Sequence, residues 1–147
     1  MKLKQITVPM ENSHDRLYEV TKAFTGRGII PRALTLVDKG YFGELRILVS
    51  DLKAARQLLM QMGIPGRVDD VIALQIENRL DQLSLIFKAV MDAGITITYS
   101  YEYVGSANHK SIMIFCFSDN EKAAEVLSKC HIHTLDYRDL DMLEAAA

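Results

Sequence analysis

Glu11 to Ile30 reads ENSHDRLYEVTKAFTGRGII, and Glu77 to Thr96 reads ENRLDQLSLIFKAVMDAGIT. The second stretch repeats the first. Asn12 matches Asn78, Asp15 matches Asp81, Leu17 matches Leu83, Ala23 matches Ala89, Gly28 matches Gly94 and Ile29 matches Ile95. Each pair has the same offset of 66 residues (78 − 12, 94 − 28). A fixed repeat this long means a duplicated domain; solenoids stack three or more shorter units. The duplication divides the 147 residues into halves at 1–69 and 70–140, with a tail at 141–147. A duplicated small domain tends to build its working site between its halves.

Each half reads strand, helix, strand, strand, helix, strand. In the first, KQITVPM is a short strand, and Leu17, Val20, Thr21 and Phe24 then recur at helical spacing. Gly26 and Gly28 end that helix. IIPRALTLV and FGELRILV are β-rich runs around the turn signal Asp38-Lys39-Gly40. Asp51 is an N-cap for a second helix that buries Ala55, Leu58, Leu59 and Met62. In the second half VIALQI is the strand, and the helix after it carries Leu83, Ile86, Phe87 and Val90. ITITYSYEYV and SIMIFCF follow, Asp119 caps the last helix, and Ala123, Val126, Leu127 and Cys130 form its apolar face. Here the offset has grown to 68 (119 − 51), so two residues were inserted in the turn GSANHK. Gly66 to Ile76 serves as the last strand of one half and the first of the next. LEAAA reads as a fraying helix end or a cloning remnant.

The composition is that of a globular protein, 49% hydrophobic and 24% charged, and the net charge of −2 gives no electrostatic footprint for nucleic acid or anionic membrane. Two cysteines make no disulfide framework; Cys116 and Cys130 read as small buried apolar residues in a reducing compartment. No signal peptide or bilayer-length apolar run is visible, so a cytoplasmic location is expected.

Two βαββαβ halves predict an α+β protein, an antiparallel sheet with helices on one face. In SIMIFCF both Ile112, Ile114, Cys116 and Met113, Phe115, Phe117 are apolar, so both faces of this strand should be covered. The matching strand alternates better, Leu45, Ile47 and Val49 against Glu44, Arg46 and Leu48. One chain has helices for one face. A second copy stacked sheet to sheet would cover the other, which predicts a homodimer.

With these residues in place the chain resembles the ACT-domain family, and is similar to small stand-alone proteins of two ACT repeats. The resemblance rests on Glu11-Asn12 with Leu17, Glu77-Asn78 with Leu83, and Gly28-Ile29 with Gly94-Ile95, and covers nearly the whole chain. It implies ferredoxin-like repeats side by side, and a small-molecule ligand, most often an amino acid, bound where they meet. The loop before the first helix would form one wall: Asn12, Ser13, His14, Asp15 and Arg16 in one half, Asn78, Arg79, Leu80, Asp81 and Gln82 in the other. The facing positions would be Thr96 and Ile30. Where the family loop usually reads Asn-x-Pro-Gly, this chain has His14-Asp15 and Leu80-Asp81. Aspartate crowds the close approach that glycine allows and adds negative charge.

A helix start presents unpaired N–H groups and the positive end of a dipole, which suits a carboxylate. Asp15 or Asp81 would instead hold an ammonium. Asn12-x-x-Asp15 and Asn78-x-x-Asp81 equally match an N-cap with an acidic first turn, worth roughly 0.5–2 kcal/mol as structure alone. Both readings stand at this point. Cys130, His131 and His133 lack a partner cluster for zinc, so no metal and no cofactor is expected. Tyr99, Tyr101 and Tyr103 alternate on one strand face and read as half-buried packing. Pro31 marks an edge strand or a bulge. No nucleophile elbow, P-loop or dinucleotide fingerprint appears, so no enzyme is expected. The alternative to a ligand sensor is a ligand-free ACT-type module for oligomerisation or protein interaction.

Overall fold

In the computed structural model the described residues are 3–10, 14–38, 40, 43–77, 79–103 and 111–145. They form an α+β fold with seven strands and five helices. The chain divides into two compact units, one of Lys4–Asp69 and one of Leu3 with the described residues from Asp70 onward.

The first unit contains β1 (Leu3–Pro9, all but its first residue), α1 (His14–Gly26), β2 (Pro31–Asp38), β3 (Gly43–Val49), α2 (Leu52–Gln61) and the start of β4 (Arg67–Ile76). Its strands are ordered β2-β3-β1, antiparallel, with Ile6 opposite Ile47 and Pro9 opposite Glu44. Val20 and Phe24 from α1, with Ala55, Leu58 and Leu59 from α2, close over Ile6, Val8, Leu45, Ile47 and Val49. The second unit contains the rest of β4, α3 (Arg79–Asp92), β5 (Ile97–Glu102), β6 (Ser111–Phe117), α4 (Asn120–Lys129), β7 (Thr134–Leu135) and α5 (Tyr137–Ala145). Ile72 lies opposite Phe115 and Gln75 opposite Ile112, the first unit's pairs displaced by 66 and 68 (72 − 6, 115 − 47). The duplication therefore extends to the register. Both edge strands carry a bulge at one place, between Pro31 and Ala33 and between Ile97 and Tyr99. The second bulge has no proline, so Pro31 occupies a bend that the fold makes anyway.

The N-caps are as expected: Asp51 accepts from the Ala54 N–H and Asp119 from the Lys122 N–H, both at 3.0 Å. Residues 104–110, which hold the expected insertion, lie outside the described residues. Of α5 only the end was expected, LEAAA having read as a fraying helix end; its start at Tyr137 was not. The Asp139 N–H donates to Asp136 Oδ1 and the Asp136 N–H donates to Asp139 Oδ2, each at 2.9 Å, a reciprocal cap. The Asp139 N–H bond holds the Asp136 carboxyl below its ordinary value, and Leu140 in the next turn is fully buried.

Four expected burials are corrected, and the first is Met62, which is half-buried at the end of α2. Phe87 flanks the buried side of α3, where Ile86 and Val90 sit, and is 45% exposed. Cys116 and Cys130 are half-buried rather than buried.

The face turned away from the helices differs between the units. In the second it is apolar, with Ala73, Ile112 and Ile114 buried. In the first it is polar and also buried. Arg46 Nε donates to Glu44 Oε1 at 3.1 Å, and the exposed Arg67 reaches the same oxygen at 3.4 Å. Gln5 donates to Thr7, and Thr7 donates to Asp69 at 2.7 Å. The alternation of β3 thus produces buried charge, not a solvated face. It also removes the premise of the sheet-to-sheet homodimer, because Leu48, Ile112 and Ile114 are already buried in one chain.

Removing one member of a buried ion pair strands the other. Glu44→Ala is expected to lower stability by about 3–5 kcal/mol in urea unfolding. Glu44→Ile with Arg46→Ile, the residue type at the equivalent Ile112 and Ile114, should recover most of it. A single-variant loss under about 1 kcal/mol would mean that the pair behaves as a solvated one.

Candidate functional site

The helix-one loops and the strands after them carry the expected site, and the structure explains how those strands are placed. α1 ends with Gly28 at φ +70°, a left-handed conformation that favours glycine. This lets the Gly28 N–H reach Thr25 O and the Ile29 N–H reach Phe24 O at 2.9 Å. α3 ends the same way, with Gly94 at φ +74° and the Ile95 N–H on Val90 O at 2.9 Å. Ile29 and Ile95 are thereby drawn into their cores, and the next residues, Ile30 and Thr96, are turned outward.

Ile30 is then held from two sides. Its N–H donates to Ser50 Oγ at 2.9 Å, and its carbonyl accepts from the Ser50 N–H at 2.9 Å. Thr96 is held alike by Ser118, at 3.0 and 2.8 Å. Both side chains stand exposed, a sec-butyl surface in one unit and a hydroxyl in the other. The reading of the sequence missed these serines. The signal was present, since Ser50-Asp51 and Ser118-Asp119 are the same dipeptide at the same offset of 68 (118 − 50).

Of the loop residues, Asn12, Ser13 and Asn78 lie outside the described residues. His14 opens α1, and Arg79 and Leu80 open α3, with the helical backbone described and the side chains not. Asp15 and Asp81 lie exposed in the first turns of their helices, where a negative charge favours the helix start. The loop ends are fastened differently. Arg16 donates to Pro9 O at 3.3 Å. The equivalent Gln82 accepts from the Glu77 N–H at 2.7 Å.

The alternating tyrosines pack more deeply than expected: Tyr99 is half-buried and stacks on Tyr101, but Tyr101 and Tyr103 are both buried. Among the described residues no group of three or more His, Cys, Asp or Glu is placed to hold a metal ion. No helix among them is long and apolar enough to cross a membrane.

The family model for the ACT domain pair matches residues 1–144. The chain belongs to that family. Among solved structures it is similar to protein BT0572 from Bacteroides thetaiotaomicron, at 28% identity over 95% of this chain and 96% of that one, with a TM-score of 0.86. The regulatory subunit of aspartate kinase from Thermus thermophilus, in a ligand-free form, shares the fold at 15% identity, covering 87% and 91%, with a TM-score of 0.60. The aspartokinase alpha and beta subunits do so at 18% identity, covering 86% and 90%, with a TM-score of 0.56. No curated protein matches the sequence.

Ser118→Ala removes the side-chain half of the Thr96 clasp. It should cost about 0.5–1.5 kcal/mol and speed hydrogen exchange at the Thr96 amide. Unchanged protection of that amide would mean that the hydroxyl does not hold the strand start.

Proposed function

We propose that this chain is a regulatory binding protein, without catalytic activity of its own, that takes up a small molecule, an amino acid by chemistry, between its two ACT repeats (1–69 and 70–140). The observation that carries the reading is membership of the ACT domain pair family over residues 1–144. The repeated geometry supports it: in each repeat a helix start with an exposed aspartate precedes a strand start clasped by a serine. Asn12, Ser13, His14 and Asp15 would line one wall with Thr96 facing them. Asn78, Arg79, Leu80 and Asp81 would line another with Ile30 facing them. Helix-start N–H groups would take the ligand carboxylate and an aspartate the ammonium. Thr96 adds a hydroxyl where Ile30 offers apolar contact, so the two half-sites would differ in strength. Occupancy would favour one arrangement of the repeats, and a partner would read the difference. A cytoplasmic location belongs to the same proposal.

A second reading is favoured by one observation. His14-Asp15 and Leu80-Asp81 stand where the family loop has Pro-Gly. On that reading the chain is a ligand-free assembly module. Self-association belongs to either reading. Its support is no longer the sheet face but edge strand β2, where Leu34 and Leu36 are 42% and 51% exposed.

A thermal-shift screen against the twenty amino acids separates the readings. A ligand at 100 times its Kd adds about 2.7 kcal/mol, a rise of several degrees. One clear hit, lost in Asn78→Ala and Thr96→Ala, is the expected result; no shift with any amino acid turns the reading to the assembly module. Sedimentation velocity at micromolar concentration is expected to give a dimer, and a stable monomer would remove the self-association.

A further inference from the structure

The turn after α4 departs from its counterpart in a way that the duplication makes visible. After α2, the Gly63 N–H donates to Met60 O and the Ile64 N–H to Leu59 O, with Gly63 at φ +69°. After α4, the His131 N–H donates to Ser128 O and the Ile132 N–H to Leu127 O, with His131 at φ +60°. The two turns coincide at an offset of 68 (131 − 63). Glycine occupies such a position without strain; a side chain there is strained. A cavity of roughly 200 Å³ lies beside the turn, lined by His131, His133, Gln75, Gln82, Glu77 and Ile132, with Leu135 closing it.

Apart from Glu77, which matches Glu11, this polar lining belongs to one repeat. At the offsets of 66 and 68 the first repeat has Pro9 for Gln75, Arg16 for Gln82, Gly63 for His131 and Pro65 for His133. One step beyond the Leu74–Thr134 pair of β4 and β7 brings His133 level with Gln75. Gln82 has its amide oxygen on the Glu77 N–H, which leaves its NH₂ as the donor. Two imidazole N–H groups and two carboxamides make a donor set for a carboxylate. Glu77 adds negative charge at one side, which disfavours a simple anion and favours a molecule that also carries an ammonium.

We propose that this cavity is a second small-molecule site, confined to the second repeat, for a compact zwitterion of α-amino-acid type. His131, His133, Gln75 and Gln82 donate to its carboxylate, and its ammonium lies toward Glu77. This goes beyond the reading above, in which the ligand is held by the helix-one loops and the strand-two starts: the cavity shares Glu77 and Gln82 with the second of those loops, but its other lining residues, His131, Ile132, His133, Gln75 and Leu135, belong to neither.

The test is a titration of the full chain with glycine, L-alanine, L-serine and L-aspartate to tens of millimolar, followed by ¹H–¹³C correlation spectra of the four histidines. The expected result is a saturable shift of the His131 and His133 imidazole signals with at least one of these probes. His131→Gly installs the residue of the first repeat. It should raise Tm, or leave it unchanged, while weakening the response of His133 roughly tenfold or more. Gln82→Leu should weaken it as well. The proposal is overturned if neither His131 nor His133 responds to any probe, or if His133 in His131→Gly responds with wild-type affinity. A response of His14 alone would place the probe in the helix-one loop. That outcome would overturn the second site and leave the first reading intact.

Discussion

A single backbone hydrogen bond, from Ile29 back to Phe24 and again from Ile95 back to Val90, sets the geometry on which each repeat depends. The bond needs the chain to reverse through a positive φ, and glycine supplies that at Gly28 and Gly94. Once made, it buries an isoleucine under the helix and commits the next residue to solvent. The serine clasp then fixes the first residue before the edge strand. Strand register, bulge and exposed site position all follow from that start, which is why they coincide in the two repeats.

The repeats share that frame and diverge on the sheet face away from the helices. In the first unit this face carries Glu44, Arg46, Thr7 and Gln5 in a buried network; in the second it carries Ile112, Ile114, Ala73 and Val71. Burying charge is tolerable when each charge has a partner, and specifies geometry more than it adds stability. Divergence at the helix ends is smaller in extent and more chemical in kind. Where the first repeat closes a turn with Gly63, the second places an imidazole on the same backbone.

Much of the frame was legible in the chain. The helical spacing of Leu17, Val20 and Phe24, the N-caps Asp51 and Asp119 and the paired glycines depend on local chemistry, which repeats wherever the residues repeat. Other features were not local. Glu44 and Arg46 alternate with apolar residues as a solvated strand does, and only their partners reveal that they are buried. Phe87 has the spacing of a core residue, yet it falls at the flank of the stripe, beyond the cover that the sheet provides. The start of α5 was hidden because its cap is a pair of aspartates in a polar segment, and the helix's one deeply buried anchor is Leu140. Of the candidate site, Ile30 and Thr96 were placed by the repeat, whereas their serine partners lie 20 and 22 residues further along.

The sequence by itself determined the duplication, the order of strands and helices up to α4, the family and the positions where a ligand loop would lie. These follow from periodicity and from turn and cap residues acting on their nearest neighbours. The tertiary structure decided which alternating faces are buried, which serine clasps which strand start, and that His131 stands in a left-handed turn beside His133 and Gln82. Those facts depend on which distant segments meet, and burial and hydrogen-bond satisfaction are settled only when they do.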